Sequence, residues 1–161
     1  MTDTDTDTDT PHVLPDPATD FGAATRRRLL DEEIIWLVTV NGAGVPQPNP
    51  VWFLWTPDED DAWGDGSFLI FHKDNAARLR SMRERPTVAL HFDGGVHDLE
   101  VMVFTGDVEF LAEDHPGAGE VPEFEAKYHD RAAKYFGSTV GEAMAPYSVA
   151  TRIRPAKVRG F

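Results

Sequence analysis

The chain has 161 residues, 28 acidic and 15 basic side chains, and a formal net charge of −13. The length favours one domain with a sizeable core, and the charge disfavours a nucleic-acid binder, whose surface leans basic. The chain contains no cysteine, which excludes disulfides, thiolate zinc sites, iron–sulfur clusters and a cysteine nucleophile. No apolar run approaches the roughly 18 residues that cross a bilayer, so no membrane partner is expected. The acidic, polar start is unlike a secretory or transit peptide, so a cytoplasmic protein is expected.

Residues 1–20 differ from the rest. They alternate Thr and Asp from Thr2 to Thr10, then carry Pro11, Pro15 and Pro17, with six aspartates and no bases. Such a segment buries too little apolar surface to offset its chain entropy, which predicts a disordered tail ahead of one domain at 21–161. Asp3, Asp5 and Asp7 have the spacing of a calcium loop. Thr8, however, stands where its turn glycine belongs and Leu14 where its closing glutamate belongs, so no calcium site is expected.

Asp20 can cap a helix running to about Glu33. Ile34 to Val40 reads as a strand, turned by Asn41-Gly42-Ala43-Gly44 into a second strand from Val45 to Trp55. Proline at 46, 48 and 50 removes alternate N–H groups along one side of that strand, which predicts a sheet edge there. From Val51 to Trp55 both faces are apolar. In a chain of one barrel the second face then needs a partner, which predicts a dimer.

An acidic loop leads into strand Ser67 to His72. Asp74 or Asn75 then caps a helix to about Glu84, whose buried stripe is Ala76, Leu79 and Met82. Pro86 stops that helix before strand Thr87 to Phe92. A long strand, Leu99 to Leu111, carries Gly106 at an expected bulge. Helices follow at Glu123 to Phe136 and Thr139 to Met144, and a last strand at Tyr147 to Val158. Six strands with short turns and no strand–helix–strand alternation predict a mainly β fold, an antiparallel barrel with peripheral helices.

The chemistry concentrates in Phe71 to Pro86. A strand ends at His72 and Lys73, a helix opens at once, and Arg78 lies in its first turn. A helix N-terminus with added Lys and Arg charges suits a phosphate. Arg80, Arg83 and Arg85 read as a solvated face. Trp52, Phe53 and Trp55 read either as an aromatic wall for a planar ligand or as core and subunit interface. The histidines are dispersed apart from His91 and His97, which can face each other across a hairpin. No metal-ligand spacing and no nucleophile elbow is present, so no metal site is expected and a cofactor would carry the chemistry.

The order of these motifs resembles the pyridoxamine 5′-phosphate oxidase-like split-barrel family. They are the strand ending at Val40, PQPNPVWFLW, the Lys73/Arg78 helix closed by RERP, TVALHF and FTGDVEF. The branch it resembles is the actinobacterial F420-dependent (deazaflavin) oxidoreductases, whose ending RIRPAKVRGF also fits. The resemblance covers Thr25 to Phe161. It implies an FMN-binding-protein-like six-stranded split barrel and a homodimer with cofactor sites at its interface. It maps the ring to Pro50, Val51, Trp52 and Phe53, and the phosphate to the strand-to-helix segment with His72, Lys73, Asn75 and Arg78. Family members often carry a basic residue eight before the helix-ending proline and an Asn five before it. Here these are Arg78 and Ser81, so the charge is kept and the amide is lost. The C-terminal substrate segment of the classical pyridoxamine phosphate oxidases is not found, which puts vitamin B6 oxidation in doubt.

The expected function is therefore hydride transfer between coenzyme F420 and a small organic substrate, with FMN as the alternative cofactor. A non-catalytic cofactor- or haem-binding module is the alternative of another class. No catalytic residue is assigned. F420 carries a polyglutamate tail beyond its phosphate, and Arg26 to Arg28, with Arg80, are candidates to hold it.

Overall fold

The computed structural model describes residues 11–95 and 99–161. In chain order it contains α1 (Asp20–Asp31), β1 (Ile35–Val40), β2 (Pro46–Val51), β3 (Leu54–Pro57), β4 (Gly66–His72) and α2 (Ala77–Glu84). These are followed by β5 (Thr87–His91), β6 (Met102–Phe110), a 3₁₀ turn (Ala118–Glu120), α3 (Pro122–Phe136), α4 (Val140–Met144) and β7 (Val149–Gly160). The strands form one antiparallel sheet in the order β2-β1-β5-β6-β7-β4-β3.

Seven strands replace the six expected because the predicted Val45–Trp55 strand breaks at Trp52 and Phe53. Its first half pairs with β1 and its second half with β4, at opposite margins of the sheet. Only Trp52 and Phe53 separate the two margins in the chain. The sheet must curl until its margins approach each other, which makes it a split barrel. Pro46, Pro48 and Pro50 lie opposite Val40, Val38 and Trp36 on an outermost strand, so the missing N–H groups fall on its unpaired side. The bulge on β6 is present as a register shift between Thr105 and Gly106. A Cβ at Gly106 would lie 2.3 Å from the Arg154 carbonyl oxygen, so only glycine fits.

Two cores result. Inside the barrel pack Ile35, Leu37, Phe53, Trp55, Phe68, Ile70, Leu90, Phe104 and Ile153. On the outer face of β4 and β7, Leu69, Phe71 and Ala150 are covered by Phe124, Tyr128 and Ala132 of α3 and by Val140 and Met144 of α4. Strand β4 is therefore buried along its whole length. The second core also corrects the argument for a dimer. Trp52 and Leu54 point outward and pack against this chain's own α3 and α4 cluster, so that face has a cover within the chain.

The predicted disordered segment is only partly described. Residues 1–10, with Asp3, Asp5 and Asp7, lie outside the described residues, as does His97. From Pro11 onward the chain is packed on the body. Leu14 is 2% exposed within the barrel core, and the Val13 and Leu14 N–H groups donate to the two Asp65 carboxylate oxygens at 2.9 and 2.8 Å. One buried leucine and two charge-assisted bonds hold a segment whose composition predicts none of this. The cap of α1 also shifts by one residue. Thr19 fills that role, its hydroxyl accepting from the Gly22 N–H.

Candidate cofactor site

Strand β4 delivers His72 at its end, and the chain enters α2 five residues later. Neither Asp74 nor Asn75 caps α2, contrary to expectation. Ala76 holds the cap position, with no side-chain bond to the helix. The first turn of α2 thus presents backbone donors that no side chain caps. The cause is Asp74 and Asn75 sitting two and one residues too early, in the turn closed by the Ala76 N–H on the Lys73 carbonyl.

Arg78 is set by a chain of bonds reaching into the core. Its Nε donates to His72 Nδ1 at 3.0 Å, and His72 Nε2 meets Thr151 Oγ1 at 2.9 Å. Since Arg78 can only donate, Nδ1 must accept and Nε2 carries the proton. Thr151 Oγ1 in turn donates to the Ile70 carbonyl at 3.4 Å. Burial, and secondarily the charge of Arg78, pushes the His72 imidazole down to about 3, so it stands neutral. Burial also lowers the Arg78 guanidinium from its ordinary value. Among the described residues no carboxylate oxygen lies within 4.0 Å of Arg78, although the chain is strongly acidic.

Arg78 lies at the junction of two cavities. The first, of about 370 Å³, is walled mainly by apolar groups, among them Pro50, Val51, Trp52, Phe71, Met144 and Tyr147. The second, of about 300 Å³, is lined by the polar residues Thr39, Asn41, Gln47, Asn49 and Ser81 and by the first turn of α2. Pro50 borders one and Asn49 the other, because adjacent residues of a strand face opposite ways. In the first cavity Trp52 stacks on Tyr128 with ring centroids 4.4 Å apart and planes 1° apart. The Tyr128 hydroxyl accepts from the Phe53 N–H at 2.8 Å, which anchors the pair to the sheet. In the second cavity Thr39 is 1% exposed and its Oγ1 has no hydrogen-bond partner among the described residues. A buried hydroxyl left unpaired is costly, and a ligand acceptor or donor in this cavity would satisfy it.

Of the eight candidates, Pro50, Val51, Trp52 and Arg78 border these cavities. The other four do not. Phe53 is wholly buried in the barrel core, with Lys127 Nζ 3.6 Å from its ring centroid. His72 is wholly buried and touches Arg78, not the cavity. Lys73 is exposed, its Nζ 5.3 Å from the Tyr147 ring centroid. Asn75 is exposed in the turn before α2. The sequence reading missed Thr39, Asn49 and Phe136. Ser81, noted as a departure from the family pattern, lines the polar cavity.

Arg26 to Arg28 are committed elsewhere. Arg26 donates to the Trp63, Pro15 and Gly22 carbonyls, and Arg27 pairs with Glu100 at 2.8 Å. Arg28, 4% exposed, bonds the Asp93 and Glu100 carbonyls and pairs with Asp93 and Glu32. These arginines fasten α1 to its surroundings, with Arg27 the most exposed of the three. Arg80 pairs with Glu84 at 2.8 Å on the exposed face of α2.

The family model described as pyridoxamine 5'-phosphate oxidase matches residues 21–161, and the chain belongs to that family. Among solved structures it is similar to an F420 reductase, at 23% identity and a TM-score of 0.58, over 83% of this chain and 94% of that one. It is also similar to an FAD-binding protein from Mesorhizobium loti, at 17% identity and a TM-score of 0.53, over 84% and 88% of the two chains. A third likeness is to HutZ, a haem storage protein from Vibrio cholerae, at 13% identity and a TM-score of 0.55, over 85% and 92%. At these identities the likeness shows the fold. No curated protein matches the sequence. Among the described residues no helix is long and apolar enough to cross a membrane.

Proposed function

We propose that the paired cavities bind a phosphate-bearing flavin-type cofactor, coenzyme F420 in preference to FMN, and that the protein is an oxidoreductase acting on a small organic molecule. The observation that carries this reading is Arg78. It is a half-buried guanidinium without a carboxylate partner among the described residues, standing between an apolar cavity and a polar one. A buried cation without a counter-ion is unfavourable, and a phosphate supplies one with bidentate geometry.

In this arrangement the first turn of α2, Arg78, Ser81 and the Thr39 hydroxyl hold the phosphate, while Pro50, Val51 and Trp52 carry the ring. The reduced cofactor, when bound, supplies a hydride. The protein's part is to fix Arg78 through His72, to fix Trp52 through Tyr128, and to keep water from the ring with Phe71, Met144 and Phe136. Tyr147 lines the apolar cavity.

FMN has the same outline of ring and phosphate, and the preference for F420 rests on the sequence motifs and the likeness to an F420 reductase. The engagement of Arg26 to Arg28 removes the electrostatic argument for it. A haem-binding role is disfavoured because among the described residues no histidine lines either cavity. The reading includes a homodimer, supported by the outer face of β1 and β5, where Trp36 is 37% exposed and stacks on His91. Equilibrium titration of the apoprotein with F420, FMN and haem, followed by turnover of the reduced complex, tests this function. Micromolar binding of F420 with turnover is expected. Binding of haem alone would overturn it.

A further inference from the structure

Outside the cofactor groove, His12 of the N-terminal arm meets two aspartates of the β3–β4 loop. His12 Nδ1 lies 3.8 Å from Asp61 Oδ1 and 3.6 Å from Asp65 Oδ2, and the three ligand atoms all lie within 4.8 Å of one another. Both carboxylates are largely shielded, at 21% and 16% exposure. Among the described residues no Lys or Arg nitrogen comes within 4.0 Å of either one. Arg26, the nearby cation, spends its N–H groups on the Trp63, Pro15 and Gly22 carbonyls. Arg26 acts on both carboxylates and Arg154 on Asp65 only from beyond ion-pair distance, so a cation held directly between the two would relieve their mutual repulsion further.

We propose that His12, Asp61 and Asp65 form a binding site for a borderline divalent cation such as Zn²⁺ or Co²⁺. One imidazole nitrogen and two carboxylate oxygens are the donor set such ions take, with a fourth position left for water. In a tetrahedral site with bonds near 2.0–2.1 Å, ligand atoms lie roughly 3.3 Å apart, so the two edges from His12 need to close by only a few tenths of an ångström, while the edge between the carboxylates lies within 4.8 Å. The ligands are held from behind. The imidazole lies flat on the Trp63 indole, centroids 4.3 Å apart and planes 6° apart. Asp61 Oδ1 accepts from the Trp63 and Gly64 N–H groups at 2.8 and 3.1 Å, and Asp65 from Val13 and Leu14. Such outer contacts fix ligand orientation and strengthen metal sites.

The consequence is a clasp. His12 stands two residues before Leu14, which is sunk in the barrel core, so an ion on this triad ties the arm to the loop at 58–65. The site is independent of the cofactor groove and of its proposed function.

The test is titration of the full, metal-stripped chain with Co²⁺ and Zn²⁺, read by calorimetry and by the visible absorption of bound Co²⁺. One ion per chain with micromolar affinity is expected, with a rise in Tm. The variants His12→Ala and Asp61→Asn should each weaken binding at least tenfold and abolish that rise. Binding that survives unchanged in His12→Ala would assign the ion to other carboxylates of this acidic chain and overturn the proposal. So would an absence of binding in the parent protein at millimolar ion.

Discussion

Arg78 and His72 form a donor–acceptor pair, Nε to Nδ1 at 3.0 Å, in which a wholly buried neutral imidazole aims a half-buried guanidinium at a groove. On the proposed reading the pair divides the work: the arginine meets the ligand, and the histidine sets its direction. Replacing Arg78 by Ala should remove a charge-assisted phosphate contact of about 1.5–3 kcal/mol, weakening cofactor binding roughly ten- to a hundredfold. Lys73→Ala should change it much less, because Lys73 lies over Tyr147 and lines neither cavity. Fluorescence titration of both variants checks this, and equal losses would mean a diffuse field and no defined site.

His72 also makes stability depend on pH. Its value falls from 6.5 in the unfolded chain to about 3 in the folded one. Between those values the unfolded chain binds the extra proton, so folding stability falls as the pH drops through that window. The slope from this group approaches about 1.4 kcal/mol per pH unit. Urea denaturation of the parent and of His72→Gln between pH 4 and pH 7, values of roughly the window set by this linkage, should show the shallower dependence in the variant. Parallel curves would contradict it.

Thr39 offers a test with opposite signs. Thr39→Val replaces a buried, unpaired hydroxyl with a methyl of similar size. The ligand-free protein should gain stability, on the order of 1–3 kcal/mol of relieved desolvation. Cofactor affinity should fall several-fold. Thermal melts with and without ligand measure both, and a variant that binds the cofactor as well as the parent would remove Thr39 from the site.

The arginines of α1 should behave as structure. Arg28→Ala breaks bonds to the Asp93 and Glu100 carbonyls and to Asp93 and Glu32. A cost of about 2–3 kcal/mol, or a fall in Tm on the order of 5–10 °C, is expected. Cofactor affinity should not change. A selective loss of F420 binding with Tm preserved would return these arginines to the cofactor.

Much of this architecture is legible in local pattern. Three alternating prolines mark an edge whatever the rest of the chain does, and Gly106 marks the place where two backbones touch. The β4–α2 segment shows its basic residues beside a helix start. What local pattern does not carry is the identity of distant partners. The apolar run Val51 to Trp55 declares two buried faces but not their cover, which comes from α3, 75 residues away in the Tyr128–Phe53 bond. The triplet Arg26 to Arg28 looks like an anion patch until its bonds are traced, 65 residues away in the case of Arg28 and Asp93. Thr39 is one threonine in a hydrophobic strand, and its significance lies only in the lack of a partner. Acidic, proline-rich composition predicts disorder for 1–20, yet Leu14 finds a place in the core.

The most direct test is a cycle between the ligand phosphate and Arg78. Affinities would be measured for the phosphate-bearing cofactor and for the same ring lacking its phosphate, in the parent protein and in Arg78→Ala. The structure predicts that removing the phosphate weakens binding to the parent at least tenfold and hardly alters binding to Arg78→Ala, since the two partners act on each other. Equal losses in both proteins would show that the phosphate is held elsewhere and would contradict the central claim.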